Sequence, residues 1–216
     1  MILNLIAAVN QDYGIGLDGN LPWAIKNDMK FFANVTRSEL SDPYQSKNQS
    51  TSKEILNACI MGRLCWCETK KYGRKLPGRI NIVITSDPEI ADEVNALSYC
   101  KSVSSFQEAL DYVEYLKSKE STESYTVRNI FIIGGYGVYK AAMETENAKV
   151  RIFYTNVITV DPIRFTAFFP ALHKYPSFKK KSFENLQSLL PFTVEKGILE
   201  QPDGIRYEFQ LYENWD

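Results

Sequence analysis

Short, almost wholly apolar runs, each cut off at a glycine or a small hydroxyl residue, recur along this chain and limit what it can become. Residues 3–9, 58–61, 80–84 and 129–133 lack the polar alternation of a half-exposed strand. Runs of that kind are strands covered on both faces, the habit of parallel sheets. The first leads into Tyr13-Gly14-Ile15-Gly16-Leu17-Asp18-Gly19-Asn20 and the second into Gly62-Arg63. The third ends at Thr85-Ser86-Asp87-Pro88 and the fourth at Gly134-Gly135-Tyr136-Gly137. Strands alternate with helices through the first two-thirds, and strand-like runs dominate the rest, at 150–160, 178–183 and 205–212. That order implies an α/β fold with a mostly parallel central sheet between two helical layers and an antiparallel C-terminal edge. Ligands in such sheets bind beyond the carboxyl ends of strands, so the four turns can meet at one crevice.

Each turn has a plain reading and a functional one. The glycines at 14, 16 and 19 make a surface turn, or a loop whose backbone lets another molecule approach. Gly62 before a helix start with Arg63 beside it is structural, or an anion site at a helix N-terminus. The hydroxyls of Thr85 and Ser86 cap a turn or bind a phosphate. Gly134 to Gly137, with Val138-Tyr139-Lys140-Ala141-Ala142-Met143 after it, repeats the strand–glycine–helix pattern. It is not GxGxxG, and no acid follows at the offset of a standard dinucleotide fingerprint.

Between the first two strands lies Leu21-Pro22-Trp23, a stiff extended entry to a helix. Ile25, Met29, Phe32 and Val35 form its apolar stripe, with Lys26, Lys30, Asn34 and Arg37 on the other side. Asp28 breaks this division. Its position relative to Ile25 and Phe32 sends a carboxylate along the apolar face. The acid is either a first-turn residue favoured by the helix dipole or a ligand-binding carboxylate. Farther on, a short strand is expected around 96–99. Ser105-Phe106-Gln107-Glu108 is a capping box, followed by a core stripe of Phe106, Ala109, Leu110, Val113 and Leu116. The polar stretch 38–54 reads as a solvated insertion.

Several classes of protein are disfavoured. A net charge of −1 leaves no electrostatic footprint for nucleic acid. Residues 1–9 lack a basic leader region and a cleavage site, and no apolar run is long enough to span a bilayer. Cys59, Cys65, Cys67 and Cys100, with His173 as the one histidine, offer no usual zinc spacing, so no metal is expected. Reduced thiols in a cytoplasmic protein are the simplest account. The 216 residues are expected to form one domain.

Taken in order, these pieces resemble dihydrofolate reductase. The resemblance rests on the N-terminal Ile6-Ala7-Ala8-Val9, the Gly14-Ile15-Gly16 loop, Leu21-Pro22-Trp23 and the acid five residues after the Trp. It continues in Met61-Gly62-Arg63 before Trp66, Leu76-Pro77-Gly78-Arg79, Ile133-Gly134-Gly135 with Tyr139, Tyr154-Thr155 and Phe168-Phe169-Pro170. The resemblance implies an NADPH-dependent enzyme that reduces 7,8-dihydrofolate to tetrahydrofolate. A monomer binding small-molecule substrate and antifolate inhibitors is implied, with no nucleic-acid or membrane partner. Asp28 would hold the pterin and Trp23 an ordered water. Ile6, Ala7, Met29, Phe32, Thr69, Leu76, Ile133 and Tyr139 would line the folate cleft. Thr155 would support Asp28, and Arg79 would grip the glutamate α-carboxylate. Ala8, Ile15 and Gly16 would face the nicotinamide. Gly62, Arg63, Leu64, Cys65, Thr85 and Ser86 would hold the adenosine side, with Gly135, Tyr136, Gly137, Val138 and Tyr139 on the pyrophosphate and ribose. Cys65 stands where the family usually has Thr, Ala167 lacks a hydroxyl that many relatives carry, and 38–54 and 185–201 are longer than in compact members. The readings that compete with this one are a pyrimidine reductase of riboflavin synthesis and a pterin or nucleotide binder without turnover.

Overall fold

The computed structural model describes residues 1–41, 52–69, 73 and 75–215. In chain order the strands are β1 (Ile2–Asn10), β2 (Gly14–Gly16), β3 (Glu54–Gly62), β4 (Arg79–Ile84), β5 (Cys100–Val103) and β6 (Tyr125–Gly134). Then come β7 (Lys149–Ile158), β8 (Ala167–Phe168), β9 (Lys179–Lys180), β10 (Leu199–Glu200) and β11 (Arg206–Glu213). The helices are α1 (Lys26–Arg37), α2 (Arg63–Thr69), α3 (Pro88–Asn95), α4 (Phe106–Lys117), α5 (Tyr136–Met143) and α6 (Phe183–Leu189).

The main sheet runs β10-β11-β7-β1-β6-β3-β4-β5, with β9 attached to β11. From β7 to β5 every pairing is parallel. β11 turns antiparallel to β7, and β9 and β10 pair antiparallel to β11. β1 lies between β6 and β7, which explains its near-continuous apolar sequence. Alternate side chains enter two cores, one on each face. Leu3, Leu5, Ile60 and Ile132 pack with α4 and α5, whereas Ile6, Cys59, Met61 and Phe131 pack with α1, α2, α3 and α6.

Several elements depart from the sequence expectation. The stripe of α1 is rotated: Phe31, Val35 and Thr36 are buried, while Met29 is 42% exposed. Phe31 turns inward because Phe209 stacks on it at 4.2 Å between ring centroids. The strand expected at 96–99 begins at Cys100, because Asp87 and Pro88 start α3 and the chain is still turning at Tyr99, where φ is +61°. Asp87 accepts from the backbone N–H groups of Glu89 and Ile90, an N-cap with proline in the first turn. The run 178–183 holds only the two residues of β9 before Ser182 caps α6. Leu186, Leu189, Leu190 and Val194 of the 185–201 segment are buried against the sheet, so this segment is part of the core. Most of the polar stretch 38–54, residues 42–51, lies outside the described residues. Its start is anchored, with Leu40 buried and the Ser41 N–H donating to the Leu189 carbonyl at 2.9 Å.

Candidate active site

The carboxyl ends of β1, β3, β4 and β6 and the loops beyond them surround a cleft of about 890 Å3. Ile15, Gly16, Gly19 and Asn20 supply one wall. Gly62, Arg63, Leu64, Cys65 and Glu68 supply another, and Ile84, Phe106, Gly135, Tyr136, Gly137, Val138, Thr166, Ala167 and Phe168 complete it. Of the four turns anticipated to converge, those after β1, β3 and β6 do so, whereas β4 contributes its last residue, Ile84, and not the turn beyond it. Phe106, expected in the core, packs against it and also lines the cleft, because it opens α4 just beyond the end of β5. Thr85 and Ser86 stand outside the lining. Thr85 Oγ1 accepts from the Asp87 N–H at 3.1 Å, the turn-capping use of that hydroxyl, and Ser86 is exposed.

The glycines have separate local reasons. Gly134 has φ +126°, and a Cβ there would press on Cys65 Sγ at 2.9 Å. Gly135 and Gly137 face open space, so the N-terminus of α5 is uncovered toward the cleft, and no side chain caps it. A Cβ on Gly14 would enter the ring of Phe165. The loop that follows is a hairpin: Leu17 and Asn20 exchange backbone bonds at 3.0 and 2.9 Å across Asp18 and Gly19, both at positive φ. β2 pairs with β8, and the Asp18 N–H donates to Thr166 Oγ1 at 2.7 Å, so this loop is tied across the cleft mouth.

Asp28, half-buried on α1, lies outside that lining and faces β7. Thr155 of β7, in register with Ala8 of β1, donates its hydroxyl to Asp28 Oδ1 at 2.6 Å. No Lys, Arg or His among the described residues pairs with this carboxylate. Burial pushes its pKa up to about 6, and the Thr155 bond offsets part of the rise. Nearby Trp23 is buried edge-on to Phe165 at 5.9 Å, and its indole Nε1–H meets no acceptor among the described residues. A buried donor in that condition costs about 1–3 kcal/mol unless something else satisfies it.

Tyr139 stands close both to Cys65 of the cleft wall and to Asp28. Its hydroxyl donates to the Ile6 carbonyl at 2.8 Å, and burial, with the charges of Cys65 and Asp28 behind it, raises the phenol's pKa. Arg79 is only 3% exposed, lies 5.9 Å from the Phe32 ring and donates to Thr36 Oγ1 at 2.7 Å and to the Pro77 carbonyl at 3.2 Å. It has no carboxylate partner among the described residues. Phe32, Leu76, Ile133 and Ala7 are half-buried around these groups. Thr69 directs its hydroxyl back to the Trp66 carbonyl at 2.7 Å. Sequence reasoning missed Phe165, Thr166 and Phe106 as parts of this region. Nothing local marks the first two, while a capping box just after a strand end marks the third.

The comparisons with known proteins agree with this architecture. The family model for dihydrofolate reductase matches residues 2–41 and 46–195. The dihydrofolate reductase of Aedes albopictus is 31% identical over 97% of this chain and 96% of its own length. That of Gallus gallus is 32% identical over 98% of this chain and 95% of its own. The structure of Schistosoma mansoni dihydrofolate reductase superimposes with a TM-score of 0.72 at 29% identity, covering 99% of this chain and 98% of the other. Family model, full-length relatives and backbone thus converge: this chain belongs to the dihydrofolate reductase family, oxidoreductases that reduce dihydrofolate to tetrahydrofolate.

Proposed function

We propose that this chain reduces 7,8-dihydrofolate to tetrahydrofolate with NADPH, the pterin bound at Asp28 and the cofactor in the cleft at the strand ends. The observation that carries this reading is Asp28 itself, a carboxylate held by Thr155 at 2.6 Å with no cation partner among the described residues. A pterin edge presents two adjacent N–H donors, which match two carboxylate oxygens. As the ring gains positive charge on protonation at N5, Asp28 binds it more tightly, so the carboxylate favours the transition state over the ground state. The unsatisfied Trp23 Nε1–H fits a donor to a water that carries the proton to N5. Tyr139 holds the Ile6 carbonyl, and with it the strand edge beneath the ring. Arg79, buried and without a counter-ion among the described residues, fits the glutamate α-carboxylate.

The residues present also fit a dinucleotide. The cleft has the volume of a cofactor site, the walls at Ile15, Leu64, Ile84 and Phe106 are apolar, and Gly135 and Gly137 leave the α5 N-terminus open to phosphate. NADPH supplies the hydride when bound. Arg63, on the cleft wall and in no ion pair among the described residues, takes its 2′-phosphate, with Thr85 and Ser86 beyond. The Gly14–Gly16 strand and the hairpin beyond it exclude water from the nicotinamide. A pyrimidine substrate of riboflavin synthesis is less favoured, since the relatives named above reduce dihydrofolate. We read the chain as one domain, a monomer in the cytoplasm. Its sheet draws strands from Ile2 to Glu213, all four cysteines are free, and no described helix is long and apolar enough to cross a membrane. The test is loss of NADPH absorbance on adding dihydrofolate, with and without an antifolate. Absorbance that stays constant with both ligands present would leave a binder without turnover.

A further inference from the structure

Arg37 closes α1 and Arg79 opens β4, and both turn to one atom. Each donates through Nε to the Pro77 carbonyl, at 3.4 Å from Arg37 and 3.2 Å from Arg79. Arg79 uses one more donor on Thr36, and Arg37 is exposed with no further hydrogen bond among the described residues. Two guanidinium groups this close repel one another. Burial lowers the Arg79 pKa first, and the neighbouring Arg37 charge adds to the effect. No described Asp or Glu lies within ion-pair distance of either arginine. Both keep unused N–H donors, so the pair is built for two carboxylates or for one anion with two heads.

Dihydrofolate ends in a glutamate, whose α- and γ-carboxylates are joined through the α-carbon and two methylene groups. We propose that Arg37 is a specificity residue that takes the γ-carboxylate while Arg79 takes the α-carboxylate. This rests on the assignment of Arg79 above. Arg37 is solvent-exposed, so its contribution is modest, screened by salt and expressed in KM more than in kcat. The two arginines lie 42 positions apart in sequence and are brought together at the Pro77 carbonyl and by the bond from Arg79 to Thr36, the neighbour of Arg37 on α1. That places the second cation just outside the buried one, where the outer end of a bound tail would emerge.

The experiment compares kcat/KM for dihydrofolate, for its γ-amide and for dihydropteroate, which lacks the glutamate, at low and physiological ionic strength. Wild type is expected to favour dihydrofolate over the γ-amide by roughly 2–5-fold at low salt, the scale of an exposed ion pair. In Arg37→Gln that ratio falls toward one and loses its salt dependence, with the change carried by KM. A wild-type ratio near one, or a ratio that survives in Arg37→Gln, overturns the proposal. Arg79→Ala is the separate control. If it leaves the preference for dihydrofolate over dihydropteroate intact, the reading of Arg79 fails. If Arg79→Ala removes that preference while the Arg37 arm shows no change, only the role of Arg37 falls.

Discussion

Asp28 concentrates the residue-scale chemistry. Its carboxylate titrates near 6 because burial penalises the charge more than the Thr155 bond relieves it. The folded protein therefore holds more protons than the unfolded chain between about 3.8 and 6, and stability falls as pH rises through that window. Above it the cost is on the order of 2–3 kcal/mol. Asp28→Asn should raise the melting temperature at pH 7.5 by several degrees, and the gain should vanish near pH 3.5. Equal gains at both pH values would mean that the charge is not what strains the site. The same variant should lose about 10²–10³ in hydride-transfer rate at neutral pH, the scale of one preorganised electrostatic contact, and recover part of it at low pH. A stopped-flow rate within about threefold of wild type would return Asp28 to the role of a dipole-favoured helix acid. Arg79→Ala should weaken glutamate-bearing antifolates by a factor of roughly 10–100, while inhibitors without the glutamate lose far less. Equal losses measured by inhibition titration would make Arg79 structural.

At the scale of elements, the loop over the cleft is held from below. Phe165 fills the space beside Gly14, meets Trp23 edge-on and stands next to Thr166, whose hydroxyl holds Asp18. Gly14→Ala must displace that ring, and the loop and Trp23 move with it. Overpacking of this kind costs about 1–3 kcal/mol. The expected outcome is a folded protein with altered tryptophan emission and a lower kcat, read from fluorescence and steady-state assays. Unchanged emission together with an unchanged kcat would mean that β2 and its partner move independently of Trp23. The glycine cluster was legible in the sequence, but its partner was not, because Phe165 lies some 150 residues away and has no local pattern. α3 shows the opposite case. Asp87-Pro88-Glu89 is a full local N-cap signal, and the helix it starts places the next strand at Cys100.

For the whole molecule, a dinucleotide bound across loops from four strand ends should stabilise the folded state by mass action. NADPH is expected to raise the melting temperature more than NADH at equal concentration, and Arg63→Ala should remove most of the difference, since charge-assisted bonds to the 2′-phosphate contribute about 1.5–3 kcal/mol each. Equal shifts for the two cofactors in the wild type would sink that assignment. The mostly parallel sheet with its antiparallel C-terminal edge follows from what the sequence by itself determined, whereas the order of its strands does not. Continuous apolar runs select a parallel sheet, glycines and hydroxyls mark strand ends, and the Leu21-Pro22-Trp23 entry starts α1, because periodicity and turn chemistry act over a few residues. Only the tertiary structure decided which side chains meet. Thr155 reaches Asp28 across 127 positions, Arg79 reaches Thr36 across 43, and α1 rotates to bury Phe31 and leave Met29 exposed. Those contacts depend on sheet register and on competition for core volume. The pKa of Asp28 depends in turn on how completely its neighbours exclude water, which no local stretch of sequence encodes.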